Sequence, residues 1–525
     1  MSGQSEEVFG GHDPQIIGRV SIILLFYFYL MMNNETVYLG IDLGTSSLKL
    51  VLIDTRLRII FSFKKEYSIL SPEPGFAEQD PETWIFSLET GFREAGKFLE
   101  SNQMFLKGIG ITGQMHSLVC LDNNLNPVRN AIIWSDQRAS EIVDRLNTQY
   151  PKSQWKKWIA NPIATGFSFP GWMWIKENDQ NAAEKIQYLL QPKDYLRLWL
   201  TGELCTDASD ASATGFFNPV EMQWSQPILE MAGLKDENFP KVEPSLEVVG
   251  YLKPAISAKF DLPFEIPLIA GGGDQAIQAL AYDITEEGEC LVTIGSGGQI
   301  FSPTLHPIPE SELRLNLYNH VVPNIWHYEA ATLSAGLSLR WFKSLLKKDL
   351  SYQQLADLAS KSPLENELFF MPYLNGERTP WMNPKMSGAF LGLQLNHQID
   401  QMARALMEGV IFSIGQALDV IRSCGIQTQS VIISGGGSNH PLWIQLLADV
   451  SGAQVKKTNI SEATAKGAAL AAWIGVNQID YSTAKSLIQE SILVEKIFLP
   501  GQNQDKIQEK YRRFIELSRR MTEYS

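Results

Sequence analysis

The chain has 525 residues, 44% of them hydrophobic and 19% charged, with 39 Gly and 26 Pro. That is ordinary globular composition, sufficient for two large domains with sizeable cores, and it excludes wholesale disorder. Lys and Arg number 44 against 58 Asp and Glu, a net charge of −14, and without basic clusters such a chain is a poor general binder of nucleic acid, although backbone N–H groups can still hold cofactor phosphates.

Cys120, Cys205, Cys290 and Cys424 stand far apart and form no CxxC pair. This excludes a local zinc ribbon or dithiol motif and suits a reducing cytoplasm. Near the start, residues 20–32 read VSIILLFYFYLMM, shorter than the roughly 20 residues needed to span a bilayer. Arg19 is the single nearby positive charge, Glu6, Glu7 and Asp13 precede it, and no small-residue cleavage site follows. Residues 1–33 are therefore expected to be an extension outside the fold, with Met31 or Met32 the expected start; a peripheral membrane contact is the lesser reading.

In chain order, TVYLGID (36–42) is rich in β-branched and aliphatic residues, LGTSS makes a polar turn, and LKLVLID (48–54) follows. The pattern predicts a hairpin. Asp80-Pro81-Glu82 offers an N-cap, a proline at the first position and an early acid, and so predicts a helix from Asp80. GIGIT (108–112), LVCLD (118–122) and AIIW (131–134) read as further strands. CLVTIGSGGQIF (290–301) again reads strand, glycine turn, strand, and helical periodicity follows at 334–347, 400–423, 441–450 and 464–475. Each half thus opens on a hairpin with a glycine-rich turn, the break falling near 285–288. A charged amphipathic helix at 505–521 is expected on the surface. The whole predicts an α/β chain of two lobes with a cleft between them.

Several familiar motifs fail. Gly108–Gly113 matches GxGxxG but leads into a strand pattern rather than the helix a pyrophosphate needs. The segment 271–276 matches GxGxxA but places Asp274 where a bound pyrophosphate would sit. No GxxxxGK[ST] and no GxSxG occurs, which argues against a P-loop nucleotidase and an α/β-hydrolase.

What remains is a set of glycine turns with acids beside them. In Asp42-Leu43-Gly44-Thr45-Ser46 the turn N–H groups can surround phosphate oxygens, with Asp42 placed to hold a magnesium ion through water; the plainer reading is an ordinary hairpin turn. In Ala270-Gly271-Gly272-Gly273-Asp274 three glycines bring backbone close to a ligand and leave one carboxylate in a confined site. Such a group can accept a hydroxyl proton as a phosphoryl group arrives, or it can merely cap the helix predicted at 275–282. Gly295-Ser296-Gly297-Gly298 is a candidate second phosphate turn, and the glycines at 435–437 precede a helix where close backbone approach suits adenine or ribose. Gln114-Met115-His116 and Asp136-Gln137-Arg138 offer polar groups suited to sugar hydroxyls. His320 and His327 read as structural, and no cluster of protein metal ligands is visible.

Taken in order, GIDLGTSSLKLVLID, FAEQDPETW, GITGQMHSLVCLD, AIIWSDQR, LLQPKDYLRLWLTGE, TDASDASAT, AGGGDQA, WHYEAATLSAGLSLRW, MPYLNGERTP, LMEGVIF, SGGG and TAKGAALAA resemble the FGGY carbohydrate kinases over about residues 37–475. The resemblance implies the two-lobed actin/hexokinase-like (ribonuclease H-like) ATPase fold with an interlobe cleft. Its lobes would be a sugar-binding lobe at 35–284 and an ATP-binding lobe at 285–495, followed by the helix at 496–525. It implies ATP and magnesium as cofactors, Asp274 as catalytic base and sugar contact, and Asp42 as the catalytic acid that supports the metal. Met115 and His116 would meet the sugar; Thr45, Ser46, Ser296, Gly336, Gly436, Gly437 and Asn439 would meet the nucleotide.

The implied reaction is phosphorylation of a terminal hydroxyl of a ketopentose, D-xylulose being the expected acceptor. The alternatives are gluconate or another ketose or polyol, and, from another class, a non-catalytic ATP-dependent interaction protein on the same fold. Ser117 and Gln275 stand where the family pattern has Gly and Asn, and the turn 295–298 reads GSGG for GTSG; Ser117 is the departure that points toward gluconate. Expected partners are the sugar and ATP, with a homodimer allowed, and neither nucleic acid nor a firm membrane partner; the expected location is cytoplasmic.

Overall fold

The computed structural model describes residues 35–346, 349–364 and 367–522; the expectation for residues 1–33 lies outside them. Strands β1 (Glu35–Leu43), β2 (Ser47–Ile53) and β3 (Ile59–Glu66) form an antiparallel meander, and β4 (Met104–Gly113) adds parallel to β1. Beyond β4 lie β5 (Val248–Tyr251), β6 (Pro267–Ile269) and the short β7 (Gly272–Gly273), giving one seven-stranded sheet.

The second half repeats the plan. In its seven-stranded sheet β8 (Glu289–Ile294) and β9 (Gly298–Thr304) make the hairpin, and β10 (Asn316–Asn319) and β11 (Trp326–Thr332) extend it on one side. On the other side β12 (Ser430–Ser434) and β13 (Gln454–Thr458) run parallel to β8, and β14 (Val494–Phe498) closes antiparallel. The echo between the halves is therefore topological: antiparallel hairpin, then parallel strands, then an antiparallel edge.

Helix α1 (Pro81–Ser101) starts as its sequence dictates, Asp80 accepting from Glu82 N at 3.0 Å with Pro81 in the first turn. Its buried Trp84, Leu88 and Phe92 pack on β1, β2 and β4 together with Leu196 and Leu200 of α2 (Pro192–Thr201). Each such side chain removed from water contributes about 1.5–3 kcal/mol.

Two helices join the halves. α3 (Asp274–Ala281) leaves the first sheet; α4 (Gly336–Leu345), α5 (Ile399–Ser423) and α6 (Pro441–Ser451) belong to the second; α7 (Ala463–Val476) leaves the second sheet and returns to lie on β1 and β4. α7 reads ATAKGAALAAWIGV, and its small residues let backbone meet backbone. A Cβ on Gly40 would fall 1.9 Å from the Ala465 carbonyl oxygen, and one on Gly110 would fall 1.8 Å from that of Ala468. The glycines at 108–110 thus serve helix packing, which is why their GxGxxG spacing carries no nucleotide.

The C-terminal helix α8 (Gln504–Met521) does not simply lie on the surface. Ile507, Tyr511 and Phe514 are buried in the second core, and the Tyr511 hydroxyl donates to Asp419 at 2.5 Å. Among the described residues no helix is long and apolar enough to cross a membrane.

Candidate active site

The first hairpin turn is held from the side by two aromatic residues and one amide. The Tyr67 hydroxyl donates to the Gly44 carbonyl at 2.5 Å, Gln79 Nε2 to the Thr45 carbonyl at 2.6 Å, and the Trp134 indole to Thr45 Oγ1 at 2.8 Å. Gln79 is oriented in turn, its Oε1 accepting from Gln114 Nε2 at 2.8 Å and Trp84 Nε1 at 3.2 Å. The turn carbonyls are thereby occupied, while the N–H groups of Thr45 and Ser46 donate to no acceptor among the described residues. That is the arrangement an anion requires. Behind the turn Asp42 is buried opposite Lys49, and burial pushes its carboxyl up to about 6, against the pull of Lys49.

Asp274 sits half-buried at the start of α3, beside β7 and the end of β4. Its helix is capped by Gly273, with no side-chain cap bond, so its carboxylate is not spent as the N-cap the plainer reading supposed. Burial pushes it up to about 8; the carboxylates of Asp42 and Glu329 push in the same direction, and a weak bond from Gln275 Nε2 at 3.4 Å pulls back. Gly271 has φ +80, and a Cβ there would lie 2.0 Å from the Ile111 carbonyl oxygen, so this approach needs glycine.

Met115 lies against this loop, and His116 follows Met115 in the chain. A Cβ on Gly273 would come 2.8 Å from Met115 Sδ. His116 has φ +69, a conformation strained for a residue other than glycine and common at functional positions. Its Nδ1 lies 2.7 Å from the Ala213 carbonyl oxygen and its ring stacks on Phe167 at 4.3 Å. A carbonyl can only accept, so Nδ1 carries the proton and Nε2 is left as an acceptor. Burial, with Arg378 nearby, pulls His116 down to about 4 and keeps it neutral.

One other sequence expectation is corrected. Asp136 and Arg138 do not face a sugar: Asp136 accepts from Ala77 N at 2.6 Å and pairs with Arg138 at 2.8 Å, while Arg138 also pairs with Glu78 at 2.8 Å and covers the Phe76 ring. The Ser117 hydroxyl is fully buried and accepts from Trp134 N at 3.2 Å. His320 and His327 are buried against Phe301, as structural histidines are.

On the second sheet the structure gathers the expected nucleotide residues around the end of β8. Gly336 N donates to the Gly295 carbonyl at 2.9 Å and Leu337 N to that of Ser296 at 3.0 Å, seating α4 on the glycine turn. Arg340 reaches Ser296 Oγ at 3.0 Å. The turn 435–437 packs on Ile294 from the other side, and Thr293 and Ser434 join the two strand ends through hydroxyls 2.7 Å apart. Gly436 and Asn439 are exposed there; Gly437 is buried.

Three residues that sequence reasoning left without a role meet the first group from the second half, two of them on its sheet and one in a loop. Glu329 on β11 is buried and pushed up to about 7, tempered by Arg378. Tyr318 on β10 is buried 5.9 Å from the His116 ring, its hydroxyl without a hydrogen-bond partner among the described residues. Arg378 itself makes no side-chain hydrogen bond among the described residues, while its neighbours are pinned: Leu333 N donates to Glu377 at 2.8 Å and Thr379 N to the Ala331 carbonyl at 3.0 Å. The only sequence signal was the position of Arg378 inside the GERTP segment.

Residues 37–281 and 290–476 match the models of the N-terminal and C-terminal domains of the FGGY family of carbohydrate kinases. The chain belongs to that family. Among curated relatives, the xylulose kinase of Staphylococcus epidermidis is 31% identical over 478 residues, covering 91% of this chain and 95% of that protein. The xylulose kinase of Lactococcus lactis is 34% identical, covering 85% and 89%. Among solved structures, a kinase from Brucella ovis described as a "xyloylose kinase" superposes with a TM-score of 0.87 at 28% identity, covering 93% of this chain and all of that one. As in other FGGY kinases, the two lobes carry the actin/hexokinase-like fold.

Proposed function

We propose that the protein transfers the γ-phosphoryl group of ATP to a terminal hydroxyl of D-xylulose, giving D-xylulose 5-phosphate. The observation that carries this reading is Asp274: a carboxylate at the start of a helix that it does not cap, facing Asp42 and Glu329 rather than a cation. A base of raised pKa can take the hydroxyl proton as the oxygen attacks phosphorus in line, and its reach across the cleft supplies the positioning on which phosphoryl transfer depends. His116 Nε2 accepts from a sugar hydroxyl, Met115 forms the apolar floor beside the base loop, and Arg378 brings positive charge toward the transferred group. The free N–H groups of Thr45 and Ser46 receive phosphate oxygens; Ser296, Gly336, Gly436, Gly437 and Asn439 bound the rest of the nucleotide.

Among the described residues no group of three or more His, Cys, Asp or Glu could hold a metal by protein ligands alone. Magnesium suits the site nevertheless, because it keeps most of its waters and takes phosphate oxygens plus one or two carboxylates. Asp42, buried and without a hydrogen-bond donor among the described residues, is the carboxylate that fits it. When bound, the ion neutralises charge on the phosphates.

D-Xylulose is favoured over gluconate because the curated relatives at 31% and 34% identity are xylulose kinases. Ser117, the residue that pointed toward gluconate, spends its hydroxyl on the backbone of Trp134. The four cysteines are unpaired, which suits the reducing cytoplasm where ATP is available. ADP release measured across a panel of sugars tests the reading.

A further inference from the structure

The loop that carries Asp274 is gripped at each of the four residues before it. The Ala270 carbonyl accepts from Arg197, Gly271 N donates to the Ser245 carbonyl at 2.9 Å, the Gly272 carbonyl accepts from Thr112 Oγ1 at 2.7 Å, and Gly273 N donates to Ser209 Oγ at 3.0 Å. Three of these anchors run into one charge cluster. Ser209 Oγ donates to Asp207 Oδ2 at 2.5 Å, and Ser245 Oγ donates to the same oxygen at 2.8 Å. Lys193 Nζ lies 2.9 Å from Asp207, 2.6 Å from Asp194 and 3.2 Å from Asp210, and Arg197 lies 2.9 Å from Asp194. All five charged side chains have no exposed surface.

Such a cluster is a poor way to gain stability, because burying ions is costly and well-packed apolar residues of similar volume serve as well or better. What an apolar core cannot supply is an oriented acceptor. A serine hydroxyl has one proton. With that proton committed to Asp207, and Asp207 held by Lys193, the Ser209 oxygen can only offer a lone pair to Gly273 N, the peptide that immediately precedes the base.

We propose that Ser209, oriented by Asp207 and Lys193, is a positioning residue for the catalytic base: it fixes the Gly273 peptide and with it the direction of the Asp274 carboxylate toward the sugar hydroxyl. This rests on the assignment of Asp274 as base. Ser245 provides the internal comparison, since its hydroxyl donates to the same carboxylate oxygen without touching the base loop.

The test is steady-state kinetics of the full chain with ATP, magnesium and D-xylulose, beside thermal melting, for Ser209→Ala, Ser245→Ala and Asp274→Ala. Ser209→Ala is expected to lower kcat by about 10–100-fold, the scale of a misplaced catalytic group, with both KM values within about 2-fold and a melting temperature matching that of Ser245→Ala. Ser245→Ala is expected to keep kcat within about 2-fold. Should Ser209→Ala fail to fold, Ser209→Cys, nearly isosteric but a weak acceptor, must show the same kcat loss at preserved KM. Equal kcat losses in the two serine variants, or full kcat in Ser209→Ala or in a folded Ser209→Cys, overturn the proposal while Asp274→Ala stays inactive. An active Asp274→Ala overturns the assignment of the base itself.

Discussion

Lys49 in the first hairpin and Glu462, immediately before α7, form an ion pair of 2.7 Å that ties the first sheet to the segment returning from the second. Asp42 stands opposite Lys49 in the hairpin register; Lys49 pulls its carboxyl down and Glu462 pushes it up. Both partners are about one-third exposed, at 30% and 36%, so the pair contributes no more than about 1 kcal/mol to stability. Its larger effect is on Asp42. Glu462→Gln should move the melting temperature by no more than about 3 °C and shift to lower pH the second step on the acid limb of the kcat/KM–pH profile, that of Asp42 near 6, which lies below the first step set by Asp274 near 8. An unmoved second step would separate Asp42 from the pH response.

Asp274→Asn should lower kcat by about 10²–10⁴, the size of a general-base contribution. The same variant has a thermodynamic signature with a definite sign. The Asp274 carboxyl rises from 3.8 to about 8 on folding, so the folded state binds the extra proton and the wild type loses stability as pH climbs through that window. The melting temperature of Asp274→Asn minus that of the wild type should therefore grow from pH 4 to pH 8. A constant difference across the series would contradict the burial of this charge.

His116, pulled down to about 4, is neutral throughout the physiological range. KM for the sugar should show no histidine titration between pH 5.5 and 7.5, and His116→Ala should raise it by about tenfold, the cost of one lost hydrogen bond. A step near 6.5 in the sugar KM of the wild type, absent in the variant, would mean that the ring is protonated during the cycle.

Two glycines should respond oppositely to the same change. Gly110→Ala places a methyl 1.8 Å from the Ala468 carbonyl oxygen, and overpacking against backbone should cost about 3 kcal/mol or more by chemical denaturation. At Gly436 the nearest atom to an added Cβ is the Ile294 carbonyl oxygen at 4.0 Å. Gly436→Ala should change stability by under about 0.5 kcal/mol while raising KM for ATP, because a methyl there intrudes on the nucleotide. An unchanged KM would remove the 435–437 turn from the nucleotide site.

The local features were legible in the sequence because their causes are local. Asp80-Pro81-Glu82 starts a helix through its own capping chemistry, and the two glycine hairpins announce themselves by strand patterns on either side. What escaped depends on partners distant in the chain. The glycines at 108–110 look like a nucleotide motif until α7, more than 350 residues later, is seen to need them for close approach. Glu329 and Arg378 carry no local signature, since a strand carboxylate and a loop arginine gain meaning only when the second sheet closes on His116 and Asp274. Asp136 and Arg138 had the right chemistry for a sugar, but Glu78 and the Phe76 ring claim them. The amphipathic pattern of α8 shows that one face is apolar and not how deeply Tyr511 and Phe514 are buried.

The reaction is open to a direct assay. Coupled ADP release with the purified chain, ATP and magnesium, measured against D-xylulose, L-ribulose, glycerol and gluconate, tests it most directly. D-Xylulose should give the highest kcat/KM, and Asp274→Asn should lose it. A higher value with gluconate, or no sugar-dependent ADP release from a folded protein that binds ATP, would contradict the proposed reaction.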